Sequence, residues 1–216
     1  LNLLLLPNWI NKNSIFPDKD LGKKFKRSIS LPDDDFVILY SGNIGRKQGF
    51  NAIIDLAINL KNFQNVKFLF VGTGSGEKHL INQIKKNNLN NCLMMPPVNN
   101  NILNELLNLA DLHIVLQKKG IDNYILPSKL TNILGVGGNV LVFGSKESEI
   151  SDLLKLYPDI IQLITPDNTN KINLENLINR KMNSGINKIG LKYATENLDR
   201  EKIMLDFYNK LNQGFN

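Results

Sequence analysis

The feature that most constrains this chain is a repeated alternation. Short, almost wholly apolar runs are separated by segments with helical periodicity. The apolar runs are Phe36–Tyr40, Val66–Val71, Cys92–Met95, Leu112–Leu116, Val140–Phe143 and Ile160–Ile164. Strands apolar at consecutive positions must be covered on both faces, which is the condition of a parallel sheet. Between them, Phe50–Leu60 repeats apolar residues at Ile53, Ile54, Ala57 and Leu60, the spacing of one helix face. Glu77–Lys86, Ile102–Ala110, Pro127–Leu134, Ile150–Leu156, Leu174–Met182 and Asp199–Leu211 also read as helices. Strand followed by helix, six times over, predicts an α/β fold with a doubly wound, mostly parallel, Rossmann-like sheet. No internal repeat or linker breaks the chain.

With 42% apolar and 21% charged residues, the chain is neither disordered nor collagen-like. Its single cysteine, Cys92, excludes an internal disulfide and suits a reducing, cytoplasmic setting. The net charge of +6 favours anionic partners, among them phosphate-bearing ligands and an anionic membrane face. The densest cationic run, Lys23-Lys24-Phe25-Lys26-Arg27, reads as a solvated stretch in a turn-like region. No apolar run approaches the ~20 residues of a membrane-spanning helix. The opening Leu1–Pro7 reads as a buried strand or segment, and the first residue, Leu rather than Met, suggests a piece of a longer protein.

In doubly wound sheets, ligands bind beyond the carboxyl ends of the strands. After the first strand comes Ser41-Gly42-Asn43-Ile44-Gly45-Arg46-Lys47-Gln48-Gly49. Gly42 and Asn43 could let backbone N–H groups approach an anion, and Arg46 and Lys47 add positive charge. That suits a diphosphate, though a strand-to-helix turn with two exposed cations has the same local pattern. Gly72, Gly74 and Gly76 follow the second strand. Their spacing differs from the dinucleotide fingerprint, which follows a first strand as Gly-x-Gly-x-x-Gly. After the fourth strand, a polar loop with Asp122 and Tyr124 runs into a helix opening on Ser128, Lys129 and Leu130. A lysine in a first helical turn opposes the helix dipole unless an anion sits there. Neither His79 nor His113 has metal-ligand spacing, and Asp33-Asp34-Asp35 reads as a turn, so no metal or cofactor is assigned.

An ordered set of segments resembles family 4 glycosyltransferases. Leu6-Pro7-Asn8-Trp9-Ile10-Asn11 is similar to the family's (V/L)PN(G/W)(V/I)D lead into its C-terminal domain. Leu39–Gly49 resembles its YSGNIGRKQG segment, Phe70–Gly74 its VGxG, Leu107–His113 its LLxxADxH, and Leu126–Leu134 its PSKLTNIL. Gly138–Val142 stands where GxPVV is usual, with Asn139 for the proline. The nearest subgroup is the colanic-acid-type and L-fucosamine transferases of bacterial surface polysaccharides.

The resemblance implies a GT-B enzyme, whose two Rossmann-like domains face each other across a cleft. This chain would be the C-terminal, donor-binding half over residues 1–216, with a leading segment 1–30 and a C-terminal helix 199–216. The N-terminal acceptor domain would lie outside it. The implied activity is transfer, with retention, of a sugar from a UDP- or GDP-sugar to a polysaccharide or lipid-linked acceptor. Arg46, Lys47 and Lys129 would neutralise the leaving diphosphate. Gly42, Asn43, Gly72, Gly74, Val98, Asp122, Tyr124, Ser128, Leu130 and Asn132 would line the donor site, with base contacts near Pro96-Pro97-Val98. Many members carry two glutamates eight positions apart near the sugar and ribose. Tyr124 and Asn132 stand there in this chain. The implied partners are a nucleotide-sugar, the acceptor domain and an anionic membrane face, with no nucleic acid, in a cytoplasmic protein peripheral on the inner face of the membrane. Two alternatives are half of a GT-B-like sugar-nucleotide epimerase and a non-catalytic nucleotide-binding domain. The first requires a histidine or acidic base beside the cleft.

Overall fold

The computed structural model describes residues 6–46, 48–117, 128–145, 149–165 and 185–213. Six strands form one sheet: β1 (Phe36–Ser41), β2 (Val66–Val71), β3 (Cys92–Met95), β4 (Leu112–Leu116), β5 (Val140–Phe143) and β6 (Gln162–Ile164). All pairings are parallel, and the spatial order is β3-β2-β1-β4-β5-β6. The described helices are α1 (Lys19–Ser28), α2 (Asn51–Asn59), α3 (Glu77–Lys86), α4 (Leu103–Asn108), α5 (Ser128–Gly135), α6 (Glu149–Leu156), α7 (Lys188–Asn197) and α8 (Arg200–Gln213).

Because side chains alternate along a strand, each strand feeds two layers. Phe36, Ile38 and Tyr40 of β1 join Phe68 and Phe70 of β2 in a core closed by Ile53, Ile54 and Ala57 of α2 and Leu80 of α3. Val37 and Leu39 face the other way, against Leu106 of α4 and Leu109. On that second side, Val115 and Val142 pack against Leu130, Ile133 and Leu134 of α5, Leu153 of α6 and Ala194 of α7. The doubly wound sheet expected from the alternation is therefore present, with helices on both faces.

The lysine-rich run is a correction. Lys23–Arg27 lies inside α1, not in a turn, and Lys26 is buried. Its ammonium donates to the Asp35 carbonyl oxygen at 2.7 Å and to Asp111 Oδ2 at 3.2 Å. Asp111 Oδ2 also accepts from Val37 N at 2.8 Å, so this aspartate ties α1 to the start of β1. Asp18 caps α1 by accepting from the Asp20 and Leu21 amides. Gly22 allows α1 to press on α4, since a side chain there would strike the Asn108 carbonyl. Arg27 pairs with Asp33 in the acidic turn. Helix α7 is a second difference, since no helix was expected over 188–197. The helix expected over Leu174–Met182 and the opening Leu1–Leu5 lie outside the described residues. Leu6 is exposed, which does not fit a buried opening segment. Ile10 bridges to Asp199, which brings the leading segment beside the start of α8. Among the described residues, no helix is long and apolar enough to cross a membrane.

Candidate functional site: the crevice between the first and fourth strands

The strand order reverses at β1, whose successor in the chain lies on one side and β4 on the other. In a doubly wound sheet such a reversal places a crevice at the sheet's C-terminal edge. The ladder between β1 and β2 runs from Phe36–Val66 to Ser41–Val71. That between β1 and β4 has only the pairs Ile38–Leu112 and Leu39–His113. The C-terminal end of β1 is thus held from the β2 side and left open toward β4.

Two glycine turns are pressed together on the β2 side. Gly42 N donates to the Val71 carbonyl at 2.8 Å, Ile44 N to that of Thr73 at 2.9 Å, and Gly76 N to that of Ile44 at 2.7 Å. Gly72 has φ +152°, and a side chain on it would strike the Gly42 carbonyl oxygen. On Gly74 it would come within 2.6 Å of Asn43 Oδ1. The second glycine loop therefore has a packing reason: it lets the Gly42–Arg46 turn lie against it. Arg46 is exposed, and its Nε donates to the Ser75 carbonyl at 3.0 Å, a further tie between the two turns.

The expectation for Gly42 needs one revision. Its N–H is already used by Val71, so it is not a free donor for an anion. What Gly42 provides is space, because a side chain there would collide with Nζ and Cε of Lys129. Asn43 N has no acceptor among the described residues and remains available. Lys129 reaches from the first turn of α5, which belongs to one helical layer, across the sheet edge. It ends over the ring of Tyr40, which belongs to the other layer, with Nζ 4.8 Å from the ring centroid and 3.4 Å from the hydroxyl. No carboxylate among the described residues pairs with it. Burial lowers its pKa from the ordinary lysine value, so an arriving anion would favour the charged form. The first-turn amides of Ser128, Lys129 and Leu130 have no acceptor among the described residues, and this end of α5 carries the positive end of the helix dipole.

Ser128 is exposed and Asn132 half-buried, and their four-residue spacing puts them on one face of α5. Leu130 is fully buried in the core, so only its backbone N–H could meet a ligand. A cleft of about 410 Å³ lies beside the Gly42 turn, lined by Ser41, Gly42, Asn43, Gly72, Thr73 and Val98, among others. Lys47, Asp122 and Tyr124 lie outside the described residues. The sequence reasoning missed Tyr40, which it read only as an apolar member of β1. A hydroxyl one residue from the strand's end, just before a glycine turn, was the available signal.

His113 is buried near the start of β4, paired in register with Leu39. Burial pushes its pKa down to about 3, against a hydrogen bond with the Leu107 backbone that acts the other way. A side chain on Gly138 would come within 2.7 Å of its Nε2. His113 is a packed, neutral residue and no part of the crevice. Cys92 is half-buried, and burial raises its thiol pKa to about 12, so it stays protonated.

The family model described as "Glycosyl transferases group 1" matches residues 22–143, which include both turns of β1 and β2. The chain belongs to this family. It is also 32% identical over 212 residues to the Escherichia coli (strain K12) protein named as the colanic acid biosynthesis glycosyl transferase WcaI. That match covers 97% of this chain and 51% of the relative, so the chain spans about half the length of the curated relative. Among solved structures, Anabaena HepE in complex with UDP has a TM-score of 0.76 at 17% identity, over 95% of this chain and 56% of HepE. The C-terminal domain of a glycosyl transferase group 1 family protein, LpcC from Francisella tularensis, has a TM-score of 0.64 at 17% identity. That match covers 88% of this chain and 99% of the domain. These likenesses show the fold of one Rossmann-like half of a GT-B glycosyltransferase.

Proposed function

We propose that this chain is the donor-binding domain of a retaining glycosyltransferase. It would take a UDP- or GDP-sugar and serve transfer to a surface-polysaccharide or lipid-linked acceptor held by a second, N-terminal domain. The observation that carries this reading is the Lys129 ammonium at the N-terminus of α5, without a described carboxylate partner and directly over Gly42. A diphosphate placed there would meet an ammonium, the first-turn amides of α5 and the Asn43 N–H at once. Breaking the sugar–phosphate bond leaves added negative charge on the outer phosphate. Donors fixed where charge develops are worth about 2.7–4 kcal/mol each in comparable oxyanion sites. Arg46 and Lys47 are the further cations in this reading, and the leaving phosphate would help deprotonate the acceptor hydroxyl on the same face of the sugar. Val98 and its neighbours would border the base, and Asp122, Tyr124 and Asn132 the sugar and ribose.

HepE, also solved with UDP-glucose, supports the ligand class, and WcaI, named for colanic acid biosynthesis, supports the acceptor class. The net charge of +6 supports a cytoplasmic protein docked peripherally on an anionic inner membrane face. The epimerase reading gains nothing from His113, the histidine of the sheet, which is buried near the strand's opposite end.

A thermal-shift screen against UDP-, GDP- and dTDP-sugars tests the proposal. A ligand at 100 times its dissociation constant adds about 2.7 kcal/mol of stability. Stabilisation by one base series, with no transfer by the 216-residue chain alone, is expected. No stabilisation by any series, or measurable transfer, would overturn it.

A further inference from the structure

Among the described residues, Tyr40 is the aromatic side chain that touches both halves of the crevice. Its ring is buried, standing edge-on to Phe50 at a centroid distance of 4.9 Å, so its position is set by the core. Its hydroxyl donates to the Asn43 carbonyl at 2.6 Å. The same oxygen lies 3.4 Å from Lys129 Nζ and can accept from it. It also lies 3.2 Å from Gln48 Oε1, which takes the Gly45 N–H at 2.8 Å. One oxygen thus joins the lysine of α5 to the turn after β1. A phenol can do this because it donates once and accepts at the same time. A carboxylate at this place would bind the ammonium strongly and compete with the ligand. A ring face with a neutral hydroxyl holds the cation while leaving its remaining hydrogens for phosphate oxygens.

We propose that Tyr40 is a positioning residue for the donor diphosphate: its hydroxyl couples the Lys129 ammonium to the Asn43 turn, so that the two present one preset anion site. This rests on the donor-binding reading above. Tyr40 need not touch the ligand, and its effect should pass through Lys129 and the turn. The coupling should therefore appear only for ligands that carry phosphate and only while Lys129 is present.

A double-mutant cycle tests it on the full 216-residue chain, by calorimetric titration with UDP, GDP, dTDP and the matching nucleosides. Tyr40→Phe keeps the ring and its packing and removes one oxygen. It should weaken binding of the preferred nucleoside diphosphate by about 5- to 10-fold, the scale of one hydrogen bond. The nucleoside should change by less than about twofold, and so should the diphosphate when Tyr40→Phe is added to Lys129→Ala. A spectroscopic arm reads the geometry itself. The ε-methylene protons of Lys129 should be shifted upfield by the ring in the wild type and in Tyr40→Phe, and lose that shift in Tyr40→Leu. Equal losses in both backgrounds, equal losses for nucleoside and diphosphate, or an unshifted Lys129 in the wild type would overturn the coupling. If the wild type binds a diphosphate and Tyr40→Phe binds it as well, the coupling alone fails. If the wild type binds none of the three, the donor-site reading fails and takes the coupling with it.

Discussion

Replacing Lys129 by alanine should separate recognition of phosphate from folding. In the structure, the ammonium has a ring at 4.8 Å and a hydroxyl at 3.4 Å, and no carboxylate among the described residues. Among the described residues its hydrogen-bonding capacity is therefore largely unspent, and a diphosphate would take one or two charge-assisted bonds from it. Bonds to charged groups contribute about 1.5–3 kcal/mol. The variant should bind the preferred nucleoside diphosphate roughly 10- to 150-fold more weakly. Stability without ligand should respond differently from the usual loss of a buried contact. Truncation removes a cation–π contact of about 0.5–2 kcal/mol. It also removes the cost of keeping a charge half-buried, the cause of the lowered pKa of Lys129. These oppose each other, so the urea midpoint should correspond to a change within about 1 kcal/mol. Calorimetric titration of diphosphate and nucleoside into both proteins, beside urea unfolding of each, makes the comparison. A loss of equal size for nucleoside and diphosphate would refute the reasoning, because Lys129 would then not meet phosphate.

Three further outcomes concern the frame around the site. Gly72→Ala should cost about 2–3 kcal/mol in urea unfolding, since the added carbon strikes the Gly42 carbonyl and the φ of +152° is strained for alanine; wild-type stability would contradict the packing of the two turns. His113 has a folded-state pKa of about 3, below its unfolded value, so above about pH 6.5 it contributes no pH dependence. As pH falls from there toward 3, only the unfolded chain takes the proton, and stability should drop by roughly 1.4 kcal/mol per pH unit from this group. His113→Leu should flatten the curve of stability against pH by that amount, and an unchanged slope would show that the imidazole is not buried neutral. Asp111→Ala should cost about 2–4 kcal/mol by thermal or urea unfolding, because Lys26 loses its carboxylate and Val37 N its acceptor; a change below about 0.5 kcal/mol would contradict the role of Asp111 in joining α1 to β1.

The sheet was legible because a strand covered on both faces leaves an unmistakable run such as Phe36–Tyr40 or Val66–Val71. Helix α1 was not, because the positions it buries are Gly22 and Lys26. A glycine chosen for close approach to Asn108 and a lysine neutralised by Asp111 carry no hydrophobic signal. The convergence of the Gly42 turn with Ser128 and Lys129 followed from topology, since loops after neighbouring strands at a reversal of order must share one crevice. What the sequence could not show was which backbone groups were already used. Gly42 was read as an anion donor, but its N–H continues the ladder to Val71. Gly72 and Gly74 were read as ligand contacts, and they also hold one turn against the other. Leu130 was read among contact residues, yet its side chain serves the core. Tyr40 escaped for the opposite reason, because an aromatic residue in an apolar strand looks like packing until its hydroxyl is seen on Asn43 and Lys129.

The central claim is that one diphosphate bridges the turn after β1 and the first turn of α5. A crystal structure of the chain with the nucleoside diphosphate that stabilises it most tests this directly. The expected result has phosphate oxygens within 3.2 Å of Lys129 Nζ, the Asn43 N–H and the first-turn amides of α5, a normal hydrogen-bond range. A diphosphate seated elsewhere, with Lys129 still lying on Tyr40 and no phosphate beside it, would contradict the account.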